Sequence, residues 1–212
     1  MKQEAGKVKQ ELQHYFTYLD SLTKQLLQSA TSEPLQNHLL NVLQEFYKQV
    51  ERKQALVDHK VDQFLKKYDT NKKIQNDPAK LAEVIAKCEK DAYTQIYKNL
   101  NEISGELLAA QEMMKKPGFV MLKGWSGGGT GIDQVWLHSP TNPNATLDQL
   151  LTDPIPKDLE VVIVEAKGGS ASLNPNSVYV GEQLVDGTVL PNGCKQMDQN
   201  WVKVHASKMA LS

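Results

Sequence analysis

Asp133, Glu165 and Lys167 are the residues of this 212-residue chain whose types and spacing can do chemistry together. Glu165 and Lys167 flank Ala166 at the end of an apolar run, Leu159-Glu160-Val161-Val162-Ile163-Val164. Side chains two apart on a strand point to the same face, so the acid and the amine share one side of a sheet. Asp133 follows Gly127-Gly128-Gly129-Thr130-Gly131 and opens a second apolar run. If the two strands end side by side, their carboxylates can hold one hard cation through oxygen, as Mg²⁺ requires. A lysine beside them would orient or help deprotonate an attacking water and offset charge on a phosphate in the transition state. A plain ion pair where a strand meets solvent also explains Glu-X-Lys, and the tripeptide alone does not choose between the two.

Other features have plainer readings. The 127–131 glycine run is not a phosphate loop, because no lysine followed by serine or threonine comes after it and the next segment reads as strand. It reads as a flexible turn that lets the Asp133 strand approach a substrate. His138 and His205 lack ligand-like spacing. Trp201 reads as core and Trp125 as the better candidate for stacking on a base. Cys88 and Cys194 lie in different segments, outside any metal-binding or redox spacing, and read as two reduced, partly buried thiols.

The elements that must position these residues fall into two halves. From residue 3 to about 116 the chain reads as helix. Leu12, Phe16, Leu19, Leu22 and Leu26 form one stripe, ended by Ser32-Glu33-Pro34. Leu39, Val42, Phe46 and Val50 continue into Val57, Val61 and Leu65, which predicts a single long helix ending at Asp69-Thr70-Asn71. Asp77-Pro78 caps a third helix carrying Leu81, Val84, Ile85, Cys88, Ile96, Leu100 and Ile103. That helix can run on to Lys116, but Ser104-Gly105 is a plausible joint, and the domain boundary is drawn there: 1–103 helical, 104–212 a second domain.

After Pro117-Gly118 the pattern changes to short β-like runs: Phe119-Val120-Met121-Leu122, then residues 132–137, then 159–165. The last run is so uniformly apolar that it predicts a central strand covered on both faces. A final helix is predicted over about 194–205, with Met197, Trp201 and Val204 on one face. Helix, strand, strand, strand, helix is an α/β pattern with a small sheet, and with the helical half the chain is of α+β or α/β class.

Twenty-four basic residues against 25 acidic ones exclude binding of nucleic acid by bulk charge alone. Of these, 18 basic and 16 acidic residues precede Pro117, so the remaining part is mildly acidic and would need a bound cation to approach a polyanion. A polar N-terminus and the lack of a run of about 20 apolar residues predict a chain made in the cytoplasm with no signal peptide and no membrane span.

Three blocks taken together carry more than any one of them. Gly131-Ile132-Asp133-Gln134-Val135-Trp136, then Val162-Ile163-Val164-Glu165-Ala166-Lys167-Gly168, then Lys195-Gln196-Met197 with Trp201 resemble the restriction-endonuclease-like toxin domains of the PD-(D/E)XK superfamily. Those domains carry a Gly-Ile-Asp block, an apolar strand ending Glu-Ala-Lys, and a helix with Gln-Met followed by Trp. The resemblance covers about residues 104–204. It implies an αβββα core with a mixed sheet, Asp133 and Glu165 as metal ligands for Mg²⁺ or Mn²⁺, Lys167 as the catalytic lysine, and Gln196 on the last helix facing the site. Residues 105–110, Gly-Glu-Leu-Leu-Ala-Ala, resemble the superfamily's first core helix, which makes Glu106 a further metal-ligand candidate; a solvated helix carboxylate is the alternative. The superfamily core adds a strand after its last helix, so either the sheet is finished differently here or the sequence lacks its natural end.

The function implied is a metal-dependent nuclease acting on DNA as an antibacterial toxin, restrained by a cognate immunity protein and exported by a specialised secretion system. By analogy, the helical segment would engage a secretion component or chaperone; dimerisation or partner binding is the competing role. Two other readings stay open: a nuclease of restriction or repair, and a helical interaction protein with a catalytically silent α/β part.

Overall fold

The computed structural model describes residues 2–124, 132–167, 189, 190, 192 and 194–210, except for the side chains of 2–5 and 205–210. Four helices come first: α1 (Lys2–Ser29), α2 (Glu33–Glu51), α3 (Lys53–Tyr68) and α4 (Pro78–Met114). Strand β1 (Val120–Lys123), strand β2 (Gln134–His138), the short helix α5 (Leu147–Leu151), strand β3 (Glu160–Val164) and helix α6 (Gln199–Ala210) follow. The chain is therefore a helix-rich α+β protein.

Local signals explain most helix boundaries. Ser32 stands at the N-cap of α2 with Pro34 in its first turn. The Asp77 carboxylate accepts from the backbone N–H groups of Ala79 and Lys80, two of the donors that a helix start leaves unpaired. Asp69 ends α3 and turns inward, taking the N–H groups of Ile74 and Gln75 at 2.8 Å each. The single long helix expected over 39–65 is instead two, with a break at Arg52, and α3 contributes one buried residue, Val57.

Helix α4 is the spine and packs against α1, α2 and α3. It runs through Ser104-Gly105 without a joint, both residues being buried inside it. The boundary expected at 103/104 thus falls within one helix. A single core joins Leu12, Phe16, Leu19, Leu22 and Leu26 of α1 and Leu39, Val42 and Phe46 of α2 to Leu100 and Leu107 of α4, and continues into Met121 and Trp136 of the sheet. Fully burying a side chain of this kind stabilises the fold by roughly 1.5–3 kcal/mol, so the sheet shares its largest source of stability with the helices.

The three strands form an antiparallel sheet in the order β1-β2-β3, which corrects the mixed sheet that the resemblance implied. The centre is also corrected. Among the described residues the central strand is β2, where Gln134, Val135, Trp136 and Leu137 are all enclosed. Among the described residues β3 pairs on one side only, and Val161 is 57% exposed. A continuous apolar run records enclosure at some of its positions, not a central place in the sheet.

Alternation along β2 divides the layers. Trp136 faces the helical core, whereas Val135 joins Ile132, Cys194, Trp201 and Val204 in a second cluster beneath α6. Leu137 packs with Ala145 and Leu150, beside α5. The last helix begins at Gln199 after a turn over residues 196–198, so Gln196 precedes the helix instead of riding on it. Met197 in that turn has φ of +70°, a left-handed conformation uncommon outside glycine. Gly118 needs its own φ of +79°, and a Cβ there would stand 2.6 Å from the Pro143 carbonyl oxygen.

Candidate active site

Strand register makes the site. Gln134 pairs with Val164 across the β2–β3 ladder, so the next residues outward, Asp133 and Glu165, leave the sheet side by side. Asp133 Oδ2 accepts the backbone N–H of Ala166 at 2.7 Å, which carries the pairing one step past the end of the ladder. Lys167 Nζ donates to Glu165 Oε1 at 2.6 Å, as expected for residues two apart on one face. Gln196 Nε2 donates to the same oxygen from the turn before α6. Glu106 reaches the site from α4.

Glu106 is 5% exposed, not the solvated helix carboxylate that was the alternative. Burial is the main cause that pushes its carboxyl up to about 8, and the negative charge of Asp133 adds to it. A hydrogen bond from Gln134 opposes the rise, while the hydrogen bond with Asp133 and the charge of Glu165 reinforce it. Burial likewise raises Asp133 to about 6, followed by the charge of Glu165. The Ala166 N–H, Lys167 and Glu106 act in the opposite sense. Three acids therefore share one field.

The Glu165 side chain is 5% exposed, and among the described residues its Oε2 is buried without a hydrogen-bond partner. A buried carboxylate oxygen left unpaired costs free energy unless a donor or cation meets it. Among the described residues no three His, Cys, Asp or Glu side chains are already arranged as a cage for a metal ion. The donor chemistry nevertheless fits a hard divalent cation. All three groups are carboxylates, two bind protons more tightly than usual, and the third presents an unsatisfied oxygen. Asp133 and Glu165, with Glu106 beside them, are the residues that can hold such an ion.

The five residues singled out from the sequence, Glu106, Asp133, Glu165, Lys167 and Gln196, therefore stand together. Sequence reasoning missed two neighbours. Gln134 is fully enclosed and bonded to Glu106, and His38, from α2, lies 3.9 Å from Glu106 Oε2 with its side chain wholly buried. A glutamine at the head of the apolar run Val135-Trp136-Leu137 was the available signal for the first; nothing local in α2 marked the second.

Other candidates lie elsewhere. His138 stacks on Phe119 with ring centres 4.5 Å apart and meets Glu160 at 3.2 Å, at the far end of β2. Trp201 is core. Cys88 and Cys194 are buried and unpaired with each other. Trp125, the glycine run 127–131, Gly168 and the side chain of His205 lie outside the described residues. No helix among the described residues is long and apolar enough to cross a membrane. Compared with known proteins, the chain matches no family model, no curated protein and no solved structure.

Proposed function

We propose that the chain is a divalent-cation-dependent phosphodiesterase of the PD-(D/E)XK type that hydrolyses DNA. The observation that carries this reading is the Asp133–Glu165 pair, held side by side with Lys167 and Glu106 around an unpaired buried carboxylate oxygen. A Mg²⁺ or Mn²⁺ ion bound there would polarise the scissile phosphate and lower the pKa of an attacking water. Asp133, hydrogen-bonded by the Ala166 N–H, and Glu165, hydrogen-bonded by Gln196, would hold that ion. Lys167 is about one-third exposed, so its ammonium can leave Glu165 for a phosphate oxygen or the water as substrate enters. Gln196 keeps Glu165 in place during that exchange.

By the same resemblance the activity would serve as an antibacterial toxin, kept in check in the producer by an immunity protein. Purified protein is expected to degrade plasmid DNA with Mg²⁺ and to stop with a chelator. Equal activity after Asp133→Ala or Glu165→Ala would reject the assignment. Toxicity on expression, relieved by the product of a neighbouring gene, is the result expected of the toxin role.

The Glu165–Lys167 ion pair also supports a second reading, a catalytically silent interaction protein, because a resting ion pair needs no metal. Calorimetric titration with Mn²⁺ separates the two, since a silent domain shows no binding that depends on Asp133 and Glu165.

A further inference from the structure

We infer that Gln134, aimed by Trp136 and backed by His38, is a positioning residue that sets which oxygen of Glu106 faces the acids of the site. This inference rests on the metal-dependent reading above and adds to it a support built from the helical half of the chain.

The geometry leaves Gln134 one orientation. Its side chain is completely enclosed, and Trp136 Nε1 points at its Oε1 from 3.1 Å. An indole N–H can only donate, so the atom it meets must be the amide oxygen. The amide nitrogen then faces α4, where it donates to the Glu106 carbonyl at 2.9 Å and to Glu106 Oε2 at 3.0 Å. The amide nitrogen thus engages one residue at both its backbone carbonyl and its side chain.

Glu106 Oε2 is thereby engaged by Gln134, on a carboxylate that is also hydrogen-bonded with Asp133. His38 closes the remaining side. Its Nε2 lies 3.4 Å from Gln134 Nε2, and Gly124 backs so closely onto its ring that any Cβ there would overlap His38 Cβ, Cγ and Nδ1. Gln134 and Trp136 are two apart on β2 and share its inner face, so the strand that carries Asp133 also carries the device that aims Glu106. Partners of this kind typically cost 10–100-fold in metal affinity when removed.

The test is Mn²⁺ titration by calorimetry on the full chain, comparing wild type, Gln134→Met and Trp136→Phe, with circular dichroism to confirm folding. Gln134→Met keeps the length and removes the amide; Trp136→Phe keeps an aromatic ring and removes the donor that orients it. Loss of about tenfold or more in Mn²⁺ affinity for Gln134→Met, with a smaller loss for Trp136→Phe, is expected. Wild-type affinity in folded Gln134→Met would overturn the inference while leaving the metal site standing. If Gln134→Met does not fold, Trp136→Phe decides alone, and unchanged affinity there overturns it. Wild-type protein that binds no Mn²⁺ would remove the metal-dependent reading, and this inference with it.

Discussion

Asp133 Oδ2 takes the backbone N–H of Ala166 at 2.7 Å, so the acid ahead of one strand is tied to the chain between the acid and the amine at the end of the next. That bond fixes one Asp133 oxygen. Ala166→Pro would delete the donor. It is expected to raise the Asp133 carboxyl further and to weaken Mn²⁺ binding, measured by calorimetry; unchanged binding would show that the bond does not orient the acid.

The acids themselves should matter more than their supports. Asp133→Asn and Glu165→Gln are each expected to lower Mn²⁺ affinity and nuclease rate beyond the roughly 10–100-fold that outer-shell partners cost. Lys167→Ala should instead leave Mn²⁺ affinity nearly intact and abolish most of the cleavage, by about 100-fold or more. Cleavage by Lys167→Ala at the wild-type rate would remove the lysine from the mechanism.

Stability in the absence of metal should depend on pH in an unusual sense. Glu106 and Asp133 are raised in the folded chain, to about 8 and about 6, above ordinary values of 4.5 and 3.8. Between those limits the folded chain binds more protons than the unfolded one, so stability falls as pH rises from about 4 to about 8. Thermal unfolding with a chelator is expected to show Tm dropping across that window. Glu106→Gln should flatten its upper part, and added Mn²⁺ should restore stability at pH 8. A Tm that holds level from pH 5 to 8 would mean the acids do not share a field.

Two glycines should resist substitution for different reasons. Gly118→Ala meets both a positive φ and the Pro143 carbonyl, and Gly124→Ala meets the His38 ring. Each is expected to destabilise by about 1–3 kcal/mol in urea unfolding. Gly124→Ala should in addition lower Mn²⁺ affinity, because it displaces the residue behind Gln134.

Cutting the chain at 103/104 should leave neither part well folded. The cut divides α4 and a core in which Leu12, Leu39, Leu100, Leu107 and Trp136 share one cluster. A 104–212 fragment is expected to lack cooperative unfolding and bound metal; a sharp transition by calorimetry would show that it is self-sufficient.

What the sequence determined by itself was local. The α1 stripe, the Asp77 cap, the strand runs around 120, 135 and 162, and the shared face of Glu165 and Lys167 all follow from spacing and from backbone hydrogen bonding within a few residues. The break at Arg52 and the turn before α6 escaped that reading because the helical spacing of the apolar residues continues across both. Only the tertiary structure decided that β2 is the central strand among the described residues, that α4 passes unbroken through Ser104-Gly105, and that Glu106 is buried against Gln134 and His38. The reason is physical: strand order, burial and the charge state of an acid depend on what packs against them from distant parts of the chain. Residues 38, 106 and 134 come from three elements and residue 165 directly follows a fourth, and no pattern within one element records which of the others will arrive.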